Sequence, residues 1–280
     1  MKNTQTLLLS TWIMVSMIVS SRQFEFRFAS KNIPAPSKAA TGGEDSLYAN
    51  KLLLCVADGV GSWAEEGINA ALYSRKLTGN VDKYFAEDQQ KYIENPKSLI
   101  IKAAENNKEI GSSTLVIVAM DPITGLARAS FVGDSCYIIL RPIENGEKLK
   151  VFYRSKDQQH SFNFPYQLGT DGDSPEKALS FAHLLEYGDI VIVGSDGLFD
   201  NLYDEDFVRE VTKLKDNTEG IIVEKLSSMA FDLSLNRNYL SPFARDAKKA
   251  KVKFIGGKSD DIAIVVGRVI FSKQPEPETS

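Results

Sequence analysis

The stretch LLLCVADGVGSW (residues 52–63) constrains this chain more than any other. Six apolar residues, Leu52 to Ala57, run straight into Asp58-Gly59. A continuous apolar run of this length, bounded by a turn signal, reads as a buried strand. It delivers a carboxylate to the edge of a hydrophobic core, where an unpaired charge is prohibitive and a partner is required. An isolated Asp-Gly is ordinarily a hairpin turn. Here no second strand follows, because Ala64, Ile68, Ala71, Leu72 and Leu77 fall near helical spacing. The same order, strand then Asp-Gly then helix, recurs at residues 190–194 (IVIVG), Ser195-Asp196-Gly197 and the helical text of 205–214. Two aspartates delivered alike, at positions 58 and 196, point to one shared cation.

A chain of 280 residues can bury about three quarters of its unfolded surface. No Pro/Gly/Ser-rich linker divides it, so one large domain is expected. The net charge of -4 argues against broad nucleic-acid binding, which needs a basic face. Cys55 and Cys136 sit in apolar strand-like runs and read as small buried hydrophobes. No Cys/His zinc spacing occurs, and His160 and His183 both read as structural.

Residues 7–19 (LLLSTWIMVSMIV) are apolar but shorter than the roughly 20 that a membrane-spanning helix needs. Lys2 before them and Ser20-Ser21 after them resemble a secretory signal peptide, which the residue pattern favours. Arg22, Arg27 and Lys31, opposed only by Glu25, also suit an organellar presequence. Residues 32–43 (NIPAPSKAATGG) read as an extended connector. The expected organisation is therefore a targeting segment and linker at 1–42, a folded domain at 43–271 and a disordered tail at 272–280.

Within the domain, strand-like runs at 113–120, 127–132, 136–141 and 149–154 follow at short intervals, separated by Asp121-Pro122, Gly133-Asp134 and Asn145-Gly146. They form a meander of antiparallel strands. Further strands are expected at 178–185, 190–194 and 262–271, with helices between 63 and 110 and at 205–214, 219–235 and 242–251. Meanders with helices in blocks favour an α+β fold, antiparallel sheets covered by helices, over strict βαβ winding. Acids stand at strand ends or turns: Glu44-Asp45, Asp58, Asp134, Asp196 and Asp260-Asp261. Asp134 reads equally as a turn end or as a site acid. Carboxylates without His or Cys suit hard cations, Mg2+ or Mn2+. The conformational freedom of Gly59 lets its carbonyl turn toward an ion. Two ions close together polarise a phosphoryl oxygen and acidify a shared water, so no Ser, Cys or His nucleophile is needed. The basic run 248–253 reads as a solvated face, with an acidic partner as the alternative, and the aromatic stretch 162–166 as packing at the core edge, with a substrate groove as the alternative.

ADGVGSW, GSSTLVIVA, VGDSCYIIL, GSDGLFDN and GGKSDDIAIVV stand in an order and spacing that resemble PP2C-type (PPM) metal-dependent Ser/Thr protein phosphatases, from about Gly42 to Arg268. TGGEDSLY, DGVGSWAEEG, FNFPYQLG and NYLSPFARDA resemble the mitochondrial branch of that family. The resemblance implies an α-β-β-α sandwich of two antiparallel sheets, with a dinuclear Mn2+ or Mg2+ site between them at one end. It implies that Asp58 bridges both ions and Gly59 supplies its carbonyl, while Asp196 and Asp260 complete one shell. Glu44 and Asp45 match an acidic pair near the second ion, and Asp134 an acid beside a third, weaker ion; Asp261 is then a neighbour of Asp260. The implied activity is hydrolysis of phosphoserine and phosphothreonine in a phosphoprotein by metal-activated water, with no catalytic side-chain nucleophile.

Two positions depart from the pattern. Many members carry a histidine, proposed as general acid, where this chain has Val60, and a phosphate-gripping arginine where it has Ala40. Protonation of the leaving group then falls to metal-bound water and phosphate contact to the ions. The mitochondrial branch lacks that histidine too. The chain is expected to be a monomer with no nucleic-acid partner and no membrane contact of the folded domain. The resemblance points to mitochondria, and the apolar run to the secretory pathway or a membrane anchor. A haloacid-dehalogenase-type reading needs a second acid two residues after the first, where Val60 and Leu198 stand. A catalytically inactive binding module of the same fold is the rival of another class, and phosphopeptide turnover with Mn2+ separates the two.

Overall fold

A computed structural model describes residues 22–272. The apolar run at 7–19 and the tail at 274–280 lie outside the described residues. The described chain starts with β1 (Phe24–Ile33), β2 (Ser46–Ala49) and β3 (Leu53–Ala57). A 3-10 turn at Gly61–Glu66 leads to three helices, α1 (Ala70–Glu87), α2 (Gln89–Glu94) and α3 (Pro96–Glu105). Then come β4 (Ser112–Ser113), β5 (Leu115–Met120), β6 (Leu126–Val132), β7 (Cys136–Ile143) and β8 (Lys148–Arg154). β9 (Gln159–Ser161) and β10 (Phe164–Pro165) make a small hairpin, and β11 (Leu168–Gly169) pairs with β4. After β12 (Leu179–Leu184) and β13 (Ile190–Gly194) follow α4 (Asp196–Phe199), α5 (Asp204–Lys213), α6 (Glu219–Ser234) and α7 (Pro242–Lys249). β14 (Ile262–Phe271) ends the series.

The larger strands form two five-stranded sheets, in the orders β1-β14-β13-β7-β8 and β12-β6-β5-β3-β2. Every pairing within them is antiparallel. Between the sheets Leu54, Val56 and Val116 meet Phe26, Tyr137, Val193 and Val265. On the outer faces, α1 and α3 set Leu77, Phe85 and Leu99 against Leu53, Cys55 and Ile117, while α5 and α6 set Phe207, Ile222 and Leu226 against Ile138, Ile192 and Ile264. Successive strand residues face opposite sides. With both sides covered, every residue of β3 is buried, which is why its text shows no polar alternation. Each large side chain so buried contributes about 1.5–3 kcal/mol. The sheets approach closely at Gly267, where a Cβ would stand 2.7 Å from Leu54 Cδ1 and 3.0 Å from Phe26 Cδ1.

The N-terminal boundary differs from the sequence expectation. Phe24–Ile33, assigned there to the targeting segment and linker, is strand β1, registered on β14 from Phe24↔Phe271 to Ile33↔Ile262. Its basic residues have partners in the fold: Arg27 Nε donates to Glu219 at 2.7 Å and Lys31 Nζ to Glu224 at 2.6 Å. The helix expected from position 63 starts at Ala70, capped by Asn69, whose side chain accepts the Ala71 N–H at 3.0 Å.

Register positions the acids. Ser46 pairs with Ala57, Gly194 with Ile264, and Leu115 with Val132. The start of β2 therefore lies beside the end of β3, the end of β13 beside the start of β14, and the end of β6 beside the start of β5. Those are the strand ends that carry Glu44-Asp45, Asp58, Asp196, Asp260-Asp261 and Asp134.

Candidate metal centre

Asp58 leaves β3 held by its backbone. Its N–H donates to Thr114 Oγ1 at 3.2 Å, its carbonyl accepts the Thr114 N–H at 2.9 Å, and Thr114 Oγ1 lies 2.7 Å from Ser135 Oγ. Gly59 is not in the left-handed region. A Cβ there would stand 2.6 Å from the Glu44 carbonyl oxygen, so close approach to that backbone, rather than an unusual angle, demands glycine. Asp196 opens α4 behind Ser195, which exchanges two hydrogen bonds with Ala263 on β14, at 2.9 and 3.1 Å. Asp261 accepts the N–H groups of Ala35 and Glu44, each at 2.7 Å, and so ties the segment before β2 to the start of β14.

Asp58, Gly59, Asp134, Asp196 and Asp260 line one cavity of about 380 Å³, together with Lys38 and Lys258. Asp45, 4 % exposed, lies beside it. Three buried side-chain oxygens among the described residues have neither a well-aligned hydrogen-bond donor nor an ammonium, and all belong to this cluster: both of Asp45 and Oδ1 of Asp196. Oε2 of Glu44 is faced by Lys38 Nζ at 2.6 Å. Burial, then the charges of Asp45, Asp196 and Asp260, hold the Asp58 carboxyl well above the usual carboxylate range. Burial, with Asp261, Asp260 and Asp196, outweighs the nearby Ser195 hydroxyl and does the same to Asp45. Burial and Asp196 push Asp134 up to about 7, although Gln159 Nε2 donates to it at 2.8 Å. In Asp196 burial outweighs the pull of Lys258 and raises the carboxyl. Asp260 is the exception: burial opposes its charge, yet Lys258 and Lys38 hold it below its ordinary value.

The sequence reading missed three residues of this constellation. Lys258 Nζ contacts Asp196 Oδ2, Asp200 Oδ2 at 2.9 Å and Asp260 Oδ2 at 3.3 Å. Lys38 Nζ reaches Asp261 Oδ2 at 3.2 Å and Asp260 Oδ1 at 3.4 Å besides Glu44. Burial pushes Asp200 up to about 8 against the pull of Lys258. Local signals existed for two of them. Asp200 follows Asp196 by one helical turn, and Lys258 precedes Asp260 by two residues, which puts both on one side of an extended segment. Lys38 has no such signal. Among the described residues no three His, Cys, Asp or Glu side chains close on a single point, and the two ammoniums stand between the carboxylates.

The histidines stay outside the cluster. His160 Nε2 pairs with Asp173 at 2.9 Å and its ring stacks on Tyr166, and His183 Nε2 shares a 2.8 Å hydrogen bond with the Tyr137 hydroxyl. Val60 lines the cavity. In the aromatic stretch Phe162 packs on Phe243, while Phe164, about half exposed, lines the cavity.

No protein-family model matches the chain. It is 40% identical over 248 residues to a probable protein phosphatase 2C 55 of Arabidopsis thaliana, covering 86% of this chain and 51% of that protein. The chain thus spans about half the length of that relative. It is 35% identical over 250 residues to the protein phosphatase PTC7 homolog fig of Drosophila mojavensis, covering 81% of this chain and 78% of that one. Among solved structures, that of the photosystem II phosphatase PBCP superposes with a TM-score of 0.79 at 29% identity, over 88% of this chain and 99% of that one. The catalytic domain of the serine/threonine phosphatase PstP, solved in complex with two manganese ions, shares the fold with a TM-score of 0.61 at 18% identity, over 88% and 99% of the two chains.

Proposed function

Since this chain belongs to the protein phosphatase 2C family, we propose that it hydrolyses phosphoserine and phosphothreonine esters of proteins at the carboxylate-lined cavity. In this reading Asp58, the Gly59 carbonyl, Asp196 and Asp260 hold two Mn2+ or Mg2+ ions, Glu44 and Asp45 stand toward the second, and Asp134 stands at the edge of the cluster. The carrying observation is the set of buried carboxylate oxygens on Asp45 and Asp196 that receive no hydrogen bond. Anionic oxygens taken out of water need a positive partner. An all-oxygen donor set suits hard divalent ions.

Such ions, when bound, polarise the phosphoryl group and lower the pKa of a water for attack on phosphorus. The chain's own contribution is placement. Thr114 and Ser195 fix the backbones that carry Asp58 and Asp196, and Asp261 fixes the segment that carries Glu44. Lys38, the more exposed of the two cavity ammoniums, is the side chain available to phosphoryl oxygens. Val60 carries no proton to give, so the leaving alkoxide takes its proton from solvent in the cavity.

Turnover of a phosphothreonine peptide, measured with Mn2+ and with EDTA, tests the reading. Activity is expected only with the ion, and full activity in EDTA-treated protein removes the proposal. The likeness to the PTC7 homolog supports the mitochondrial branch. Imaging residues 1–23 fused to a fluorescent reporter tests it, and a signal along the secretory pathway rejects it.

A further inference from the structure

The carboxylate cluster contains a cation already. Lys258 Nζ has three protons and three acceptors, Asp196 Oδ2, Asp200 Oδ2 and Asp260 Oδ2, on three sides. The root of the side chain is clamped as well. Asn201, fully buried, accepts the Lys258 N–H at 3.0 Å on Oδ1, donates from Nδ2 to the Lys258 carbonyl at 2.9 Å, and donates to the Gly197 carbonyl at 2.9 Å. Gly197 in the first turn of α4 and the lysine are thereby held in one frame. The Phe243 ring lies 5.1 Å from the ammonium, an added attraction for a cation. Only 13 % of the Lys258 side chain is exposed. A long flexible side chain fixed at its root, its tip and its flank is pre-organised, and little further rotamer freedom is lost when it meets its carboxylates.

We propose that Lys258 is the resident cation of the subsite formed by Asp196, Asp200 and Asp260, a subsite filled by an ammonium tethered to the chain instead of a divalent ion. The proposal rests on the reading of the cluster as a metal centre and specifies how that centre is divided. Asp196 and Asp260 are shared: Oδ2 of each serves the lysine, while Asp196 Oδ1, without a donor, and Asp260 Oδ1 remain for an ion beside Asp58. Asp200 serves the lysine and no metal. The number of divalent ions is then capped at two, and part of the cluster's negative charge is neutralised whether or not metal is bound.

Equilibrium dialysis against Mn2+ followed by metal analysis tests this on four proteins. The wild type is expected to hold two ions per chain, Lys258→Met three, Asp200→Asn two, and the double variant two. In the absence of metal the Tm of Lys258→Met falls by at least about 5 °C and recovers with Mn2+. An unchanged ion count in Lys258→Met, or an ion lost in Asp200→Asn, overturns the proposal. The second result decides the matter even if Lys258→Met fails to fold. A wild type that binds no Mn2+ removes the metal-centre reading, and the inference with it. Neither outcome depends on phosphatase activity.

Discussion

Asp58 is held in a costly place. Burial and four neighbouring aspartates disfavour its charge, and its backbone is locked by Thr114. A carboxylate kept for stability would be missed when neutralised. One kept for a cation would not. Asp58→Asn is therefore expected to abolish Mn2+-dependent turnover, by more than the 10–100-fold typical of groups that only support a ligand. At the same time it should raise the metal-free Tm by about 2–4 °C, the equivalent of roughly 1 kcal/mol of relieved repulsion in a domain this size. Thermal melts in EDTA, run beside the activity assay, check both; a fall in the metal-free Tm identifies the carboxylate as structural. Asp58 and Asp196 could be paired from sequence because each ends an apolar strand in the same Asp-Gly, and a strand fixes where its last residue emerges. Asp200 and Lys258 carried a weaker signal, one helical turn from Asp196 and two residues from Asp260; Lys38 carried none, because an ammonium chooses its partners only after strand register has gathered the carboxylates. Asp261 read as a mere neighbour because its partners, the N–H groups of Ala35 and Glu44, lie more than 200 positions away.

At the level of elements, the strands covered on both sides were readable as unbroken apolar runs, and β1 was not. The text FEFRF alternates as an edge strand does, but its arginine also satisfies a presequence pattern. What decides is Glu219 at the start of α6, 3 % exposed, which accepts Arg27 Nε at 2.7 Å and Arg268 Nε at 2.6 Å. One carboxylate joins β1, β14 and α6. Burial opposes its charge, yet the two arginines hold the Glu219 carboxyl below its ordinary value. Its contribution is thus complete above the unfolded value near 4.5 and is lost as pH falls through the lower folded value. Glu219→Gln is expected to destabilise by about 2 kcal/mol at pH 7, less than a fully buried pair because Arg27 is half exposed. The gap from wild type should close as pH drops below about 4.5. Urea melts across pH 3–7 measure it; a constant gap assigns Glu219 to packing alone. Gly267→Val, on β14, should cost about 1–3 kcal/mol through overpacking against Leu54 and Phe26, and the same melts at pH 7 record it. An unchanged midpoint would show that the two sheets have slack there.

For the whole molecule, the net charge of -4 conceals a strong local imbalance. Glu44, Asp45, Asp58, Asp134, Asp196, Asp200, Asp260 and Asp261 gather at one end of the sandwich against Lys38 and Lys258. The core between the sheets drives the strands together, and register then forces the acids into proximity. The fold therefore stores repulsion that a divalent ion, under the proposed function, would relieve. An ion bound to the folded state alone stabilises by about 2.7 kcal/mol at a hundredfold excess over Kd, which for a domain of this size is a rise in Tm of roughly 5–10 °C. Salt should be a poor substitute. Screening acts over a Debye length of about 8 Å at 0.15 M for solvent-exposed charges and much less for partly buried ones. Millimolar MnCl2 is thus expected to raise Tm well above NaCl at equal ionic strength, and EDTA to reverse the rise without unfolding the protein, since the two lysines remain. Equal shifts with the two salts would mean that general screening, and not an ion held between the sheets, answers the charge that the fold collects.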